Sequence, residues 1–284
     1  MPQGTRRGAR RSPPDQIAGG SRSRQARTFS DREVGFTGLA TGRAAAVYIT
    51  GIPLAAMALA QHTHAPNLTI LLAGWSHNPD LEALHALPDL EFDERLRDLP
   101  CEAQAFDYPG QFSLKRGDVS FGFSSGVQVD SQGNLNGVCV GDHARPQVRL
   151  VGPILHPEHM TLFGREYVMM PHHERRNFVD KVDYISGVGY PGGLAGRAKL
   201  GLDRGGPELV ITPKCVFDFD KERGRMRVKS VHPGISLDEV RDATGFDLGD
   251  LGNVPDTPAP NSEELEILRR VVDPNKMLLP DLEQ

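Results

Sequence analysis

The 284-residue sequence lacks any apolar run near the roughly 18 residues that a membrane-spanning helix requires. Its richest stretch, Ile52 to Ala60, is too short and leads into His62 and His64. Cysteine is scarce: Cys101, Cys139 and Cys215 are odd in number, far apart and free of any C-x-x-C pair. That excludes a disulfide framework and a cysteine zinc centre, and it fits reduced thiols in a cytoplasmic protein. No H-E-x-x-H, G-x-S-x-G or P-loop occurs, and the glycine-rich stretches Gly187 to Gly193 and Gly201 to Gly206 read as turns. The ten histidines do not compose a metal set. His172 and His173 are adjacent and would diverge by about 100° on a helix. Pro157 interrupts His156-x-x-His159, and no third ligand stands at a diagnostic spacing. Surface or loop histidines and no metal are the expectation.

Composition is otherwise that of a globular chain, with 38% hydrophobic and 24% charged residues, enough for one large α/β domain or two small ones. The net charge of -5 is unevenly spread. Arg6, Arg7, Arg10, Arg11, Arg22, Arg24 and Arg27 face Asp15 alone in the first 28 residues, which leaves an acidic remainder. An acidic body is a poor match for phosphate backbones, so neither nucleic acid nor a membrane is expected as a partner. Residues 1–30, rich in Gly, Ser, Pro and Arg without apolar periodicity, read as a disordered tail, and 31–284 as the folded domain.

Apolar and β-branched segments recur at Val47 to Thr50, Leu68 to Ala73, Val119 to Phe123, Val148 to Val151, Tyr167 to Met170 and Leu209 to Thr212. Most are continuous, as in strands buried on both faces of a parallel sheet. Pro53 with the Ala-rich Leu54 to Gln61 predicts a helix, as does the stripe Phe178, Val179, Val182 within Glu174 to Val182. Together these give an α/β fold with an open, mostly parallel sheet flanked by helices. Toward the C-terminus, Cys215 to Phe219 and Arg225 to Val231 read as a β-hairpin. Ser236 with Glu239, and Asn261 with Glu264, are capping boxes that start two helices.

Two places invite a chemical reading. At the end of the run Leu68 to Ala73 emerge Gly74, Trp75 (the single tryptophan), Ser76 and His77. Ligands of open parallel sheets bind beyond the C-terminal ends of strands, so these residues are candidate pocket lining. The second is Gly126 to Asn136, where turn chemistry explains Asp130 to Gly133 but leaves Gln128 without a purely structural reason.

The stretch from Gly126 to Asn136 resembles the B subunits of glutaconate CoA-transferase and related family I CoA-transferases. So do Val168 to Arg176 with Phe178, Lys181, Asp183 and Tyr184, then Gly201 to Thr212, His232-Pro233-Gly234, and Thr244 to Leu248. The resemblance runs from about Thr50 to Pro280. It implies a partner A subunit, no permanently bound cofactor, and a CoA thioester as substrate. In such transferases a B-subunit glutamate attacks the thioester through an acyl anhydride, so that CoA moves between carboxylic acids. That position here is Ala73, and the family's glycine-rich loop after Val151-Gly152 reads Pro153 to Met160 instead. Relatives without the glutamate include a steroid-ring-opening hydrolase and a decarboxylase of a dicarboxyl-CoA. The resemblance therefore implies an acyl-CoA enzyme subunit with transferase, hydrolase or decarboxylase chemistry, or a structural subunit. Ser76 and His77 are its expected catalytic residues; Ala73, Gly74, Trp75 and Gln128 are expected to bind substrate.

Overall fold

A computed structural model of the chain describes residues 26–40, 43–74, 76–84, 86–87, 93–104 and 118–279. Nine strands form one sheet. In chain order these are β1 (Val34–Thr37), β2 (Thr69–Leu72), β3 (Ser76–Pro79), β4 (Cys101–Gln104) and β5 (Phe121–Ser124). Two small hairpins outside the sheet follow, β6 (Gln128–Val129) with β7 (Leu135–Asn136), and β8 (Cys139–Val140) with β9 (Val148–Arg149). The sheet is completed by β10 (Arg165–Met169), β11 (Pro207–Ile211), β12 (Cys215–Asp220) and β13 (Arg225–Val231).

The spatial order is β13-β12-β11-β10-β5-β1-β2-β3-β4. The five central strands, β11 through β2, run parallel, and an antiparallel pair is added at each edge. The chain leaves β1 toward β2 on one side, while β5 and β10 are added on the other. The strand order therefore reverses between β1 and β5, the place where open α/β sheets bind ligands. Gly35 makes that junction tight, because a Cβ there would stand 2.4 Å from the Phe121 ring.

Burial on both faces explains the continuous apolar runs. In β10, Tyr167 and Met169 join one core cluster, while Val168 and the following Met170 join the other. The first cluster is covered by the all-buried face of α2 (Ile52–Gln61), which continues from α1 (Arg43–Ala46) through a π-helical turn at Val47–Gly51. The expected strand at Val47 to Thr50 is thus helical. Alanine-rich flanks on both sides override its β-branched residues. Pro53 has no N–H to give the Ile49 carbonyl, and the wider turn absorbs the defect. The Thr37 hydroxyl donates to that carbonyl instead, at 3.1 Å.

Two further expectations are corrected. Glu174 to Val182 is not a helix: its start is a single turn in which Asn177 N and Phe178 N donate to Glu174 O, and Val129 N donates to Asn177 O and Val179 N to Val129 O, so Phe178 bridges β6. Val148–Arg149 is the exposed strand of a small hairpin with β8, outside the central sheet. Short helices follow at α3 (Glu94–Arg97), α4 (His156–Leu162) and α5 (Gly193–Lys199), and both C-terminal capping boxes form, at α6 (Leu237–Ala243) and α7 (Ser262–Ile267), as does the β12–β13 hairpin. Residues 1–25 of the expected tail lie outside the described residues. Its last part packs: Ala26 and Phe29 are buried, Phe29 stacks on Phe121 at 4.3 Å, and Arg27 pairs with Glu264 at 2.9 Å. The folded body therefore includes 26–30, ahead of the expected boundary. Among the described residues no helix is long and apolar enough to cross a membrane.

Candidate functional site

A cleft of about 760 Å³ opens where the strand order reverses. Its floor is Gly38 beyond β1, Ser124 and Ser125 at the end of β5, and Met170 beyond β10. Ala45 and Ile49, on α1 and the π turn, form one wall. The other wall is the loop through Gly152 to Leu155 and the helix α4 (His156–Leu162), with His172 and Asn177 at one end. Its size suits a small-molecule ligand, and an apolar surface with a few placed polar groups is the usual lining of such a site.

Two polar atoms of this lining have no partner among the described residues. Ser124 Oγ and Asn177 Oδ1 are buried and make no hydrogen bond among the described residues. Asn177 is held in place by its Nδ2, which donates to Val127 O at 3.0 Å. Leaving such atoms unsatisfied costs about 1–3 kcal/mol each, a cost that a bound ligand would remove.

Two histidines of α4 face this cleft, one turn apart. His156 Nδ1 lies 2.9 Å from Ser186 Oγ, and that hydroxyl donates to Leu135 O. Burial, with the neighbouring His159, pushes its pKa down to about 4, so the ring is neutral at pH 7. His159 Nδ1 lies 3.0 Å from Oε1 of the fully buried Glu166 of β10. The surface or loop position expected for these histidines is thus corrected, since both are 3% exposed. Their partners stand on other elements, so sequence spacing carries no signal for them.

The loop before α4 is strained. Ile154 (φ 39°) and Leu155 (φ 60°) are consecutive non-glycine residues in the left-handed region, after Gly152 at φ 111°. Each costs about 1–2 kcal/mol. The backbone adopts a glycine-favouring path with larger side chains in place.

The sequence-predicted residues fall elsewhere. Ala73 is 1% exposed in the core cluster, at φ 53°, and its N–H donates to Thr37 O at 2.8 Å. Gly74 is half-buried in the turn that follows. Ser76 and His77 lie on β3, two strands from β1, and Ser76 Oγ and His77 Nδ1 are buried without partners among the described residues. Trp75 lies outside the described residues. None of the described members of this group lines the cleft. Asp80 is a cap, accepting from Glu82 N at 3.0 Å. Gln128 is buried in the hairpin beside the cleft floor, donating to Asp183 Oδ2 at 2.9 Å and accepting from Asn136 Nδ2 at 2.8 Å. It braces the fold, which is the structural reason that the sequence does not reveal.

Residues 111–243 match the family model described as Coenzyme A transferase. The chain is 31% identical over 221 residues to the B subunit of 3-oxoadipate CoA-transferase from Pseudomonas knackmussii, covering 77% of this chain and 83% of that one. It is 28% identical over 232 residues to the B subunit of glutaconate CoA-transferase from Acidaminococcus fermentans, covering 81% and 86%. The solved structure of that enzyme superposes with a TM-score of 0.75 over 95% of this chain and 98% of that chain, at 24% identity. A third relative is the cholesterol ring-cleaving hydrolase IpdB subunit of Rhodococcus jostii, 33% identical over 154 residues, or 53% of this chain and 58% of that one. On these likenesses, the chain belongs to the coenzyme A transferase family and aligns with its B subunits.

Proposed function

We propose that the chain is the B subunit of a cytoplasmic heteromer that acts on an acyl-CoA thioester, with no carboxylate of its own as the covalent nucleophile. The observation that carries this reading is the make-up of the cleft wall: among the described residues it holds Ser124, Ser125, Arg149, Asn177 and three histidines, but no Asp or Glu. A glutamyl anhydride needs a carboxylate at the thioester carbonyl. Ala73, at the position that the family resemblance assigns to the glutamate, offers a methyl group. Hydrolysis, or decarboxylation of a dicarboxyl-CoA, fits this wall better than CoA transfer through a glutamate of this chain.

CoA enters as substrate rather than as a resident cofactor. The partner is an A subunit, which would cover the exposed apolar rim of the cleft. Val151 and Ile154 are 81% and 53% exposed there, a rim better suited to a protein interface than to water. Ser124 Oγ and Asn177 Oδ1 argue against a merely structural role, since unsatisfied polar atoms in a cleft favour a ligand. The free state of Cys101, Cys139 and Cys215 supports a cytoplasmic location.

Co-expression with the A subunit tests the reading. The heteromer is incubated with glutaconyl-CoA and acetate, then with borohydride, which reduces an enzyme-bound CoA thioester to a stable alcohol. The expected result is consumption of glutaconyl-CoA with no reduced residue on this chain. A reduced glutamate on this chain would contradict it, as would failure to bind or consume acyl-CoA.

A further inference from the structure

Behind the cleft wall, His159 and Glu166 form a pair that packing alone does not explain. Glu166 is fully buried on β10, and only one of its carboxylate oxygens is satisfied: Oε1 faces His159 Nδ1 at 3.0 Å, while Oε2 has no partner among the described residues. A buried ionisable pair left half-satisfied is a poor way to stabilise a core, and apolar residues of similar volume usually do better. The imidazole is also fixed in direction. It lies edge-on to Phe36, with ring centroids 5.1 Å apart, and against Phe163 at 4.4 Å. A neutral ring that donates Nδ1–H to the carboxylate presents Nε2 as its lone-pair nitrogen. The residue lines the same cleft as the orphaned Ser124 Oγ and Asn177 Oδ1, and its one side-chain hydrogen bond among the described residues is the one to Glu166.

His156 provides the contrast. It sits one turn earlier on the same helix, and its ring is engaged both by Ser186, whose hydroxyl is in turn committed to Leu135 O, and by the backbone of Ser125. His156 is a structural member of the wall. His159 is braced by Glu166 and lines the cleft with no hydrogen-bond partner on its other nitrogen among the described residues.

Resting on the reading of this cleft as an acyl-CoA site, we propose that His159 is a catalytic base of this chain, activating a water against the substrate carbonyl, and that Glu166 is its positioning residue. Nε2 takes a proton from water as the water oxygen bonds to the thioester carbonyl carbon and the carbonyl electron pair moves onto its oxygen. When that pair returns, the C–S bond breaks, and the sulfur leaves with its electrons and takes the proton from Nε2. Acyl-CoA and water become a carboxylic acid and free CoA, with no further reactant. With a 3-oxoacyl thioester the same proton path serves attack at the ketone. There the bond between the ketone and C2 breaks, and the departing carbon takes the proton as an acyl-CoA.

The experiment uses the heteromer with its A subunit, with 3-oxoadipyl-CoA as probe in water enriched in oxygen-18. Wild-type enzyme is expected to place one heavy oxygen in the product carboxylate. Free thiol in the products marks thioester cleavage, and acetyl-CoA with succinate marks carbon–carbon cleavage. His159→Ala is expected to lower kcat by about 100-fold or more, the usual contribution of a general base, with KM changed only a few-fold. Imidazole in the buffer should restore part of that rate, saturably. His159→Gln, closer in shape, should assemble and lose kcat equally. Glu166→Gln should lower kcat more than it raises KM, without rescue by imidazole. Turnover that survives His159→Ala within about three-fold would overturn this inference and leave the functional reading standing. So would an assembled His159→Ala enzyme of wild-type KM whose lost rate imidazole does not restore. No turnover of either 3-oxoadipyl-CoA or glutaconyl-CoA by wild type would overturn the functional reading itself, and this inference with it.

Discussion

Gln128 and Asp183 are joined across 55 residues by a hydrogen bond of 2.9 Å from the glutamine Nε2 to the carboxylate, and Asp183 N returns a bond of 3.0 Å to Gln128 Oε1. Asn136 Nδ2 adds a third bond, and Gly141 N donates to the same Asp183 oxygen at 2.9 Å. This clamp holds the β6–β7 hairpin, the β8–β9 hairpin and the chain after β10 in register beside the cleft. Gln128→Leu should destabilise the protein by about 1–3 kcal/mol, because Asp183 and Asn136 are left facing an apolar group. Gln128→Glu should be worse, with two carboxylates opposed. Urea unfolding of the three proteins gives the order directly.

Arg197 has a comparable role on the other side of the hairpins. The residue is 2% exposed, and its guanidinium donates to the carbonyls of Met160, Val188, Gly189 and Arg204, at 2.7 to 2.9 Å. The glycine-rich stretch after Gly187 wraps this side chain rather than a phosphate. Arg197→Lys cannot serve four carbonyls at once and should cost about 2–4 kcal/mol. A melting temperature within about 2 °C of wild type would speak against that account.

Acid sensitivity follows from two buried rings. His156 is pushed down to about 4, and His173, burdened by burial and then by Lys214 and His232, to about 3. Both values lie below the ordinary 6.5 of an unfolded chain, so the unfolded state takes up these protons first. Stability is full above about pH 6.5 and falls as pH drops toward 4, by about 1.4 kcal/mol per pH unit for each ring. His173 sits between Thr212 Oγ1 at 3.0 Å and Thr244 Oγ1 at 3.1 Å. His173→Gln should lose stability at about pH 7.5 yet reduce the slope between about pH 6.5 and 5. Denaturant titrations at several pH values in that window measure it.

Backbone strain at the cleft wall is also measurable. Ile154→Gly removes a left-handed β-branched residue that costs about 1–2 kcal/mol, offset in part by the entropy glycine adds to the unfolded chain. Because Ile154 is 53% exposed, little packing is lost. A net gain of about 0.5–1 kcal/mol in unfolding free energy is expected for the isolated chain.

Much of this fold is legible in the sequence because its signals are local. Ser236 with Glu239, and Asn261 with Glu264, each satisfy their partner within a single turn, so the pattern and the structure coincide. The strands around Ile70, Tyr167 and Val210 are buried on both faces, and a short apolar run between breakers suffices to mark them. Val47 to Thr50 misleads because a π turn beside Pro53 lets Ala-rich flanks carry a helix through β-branched residues. Phe178 misleads because three apolar residues fit a helical stripe as well as an extended segment, and only the distant Val129 decides between them. The cleft lies at strand ends, as open-sheet reasoning expects, but away from the turn that leads to Ser76 and His77. Its polar groups, Ser124, Asn177 and His159, carry no sequence spacing of their own, since Ser124 ends β5, Asn177 is held by the β6 hairpin and His159 by Glu166 of β10, and only the fold brings them to one cleft.

The most direct test of the account is equilibrium binding of a non-hydrolysable thioether analogue of 3-oxoadipyl-CoA to the heteromer, with Ser125→Trp filling the floor of the cleft. The account predicts binding by wild type and at least about a 10-fold weaker affinity, near 1.4 kcal/mol, for a Ser125→Trp heteromer that still assembles. Equal affinity of the two proteins, or no affinity in either, would contradict it.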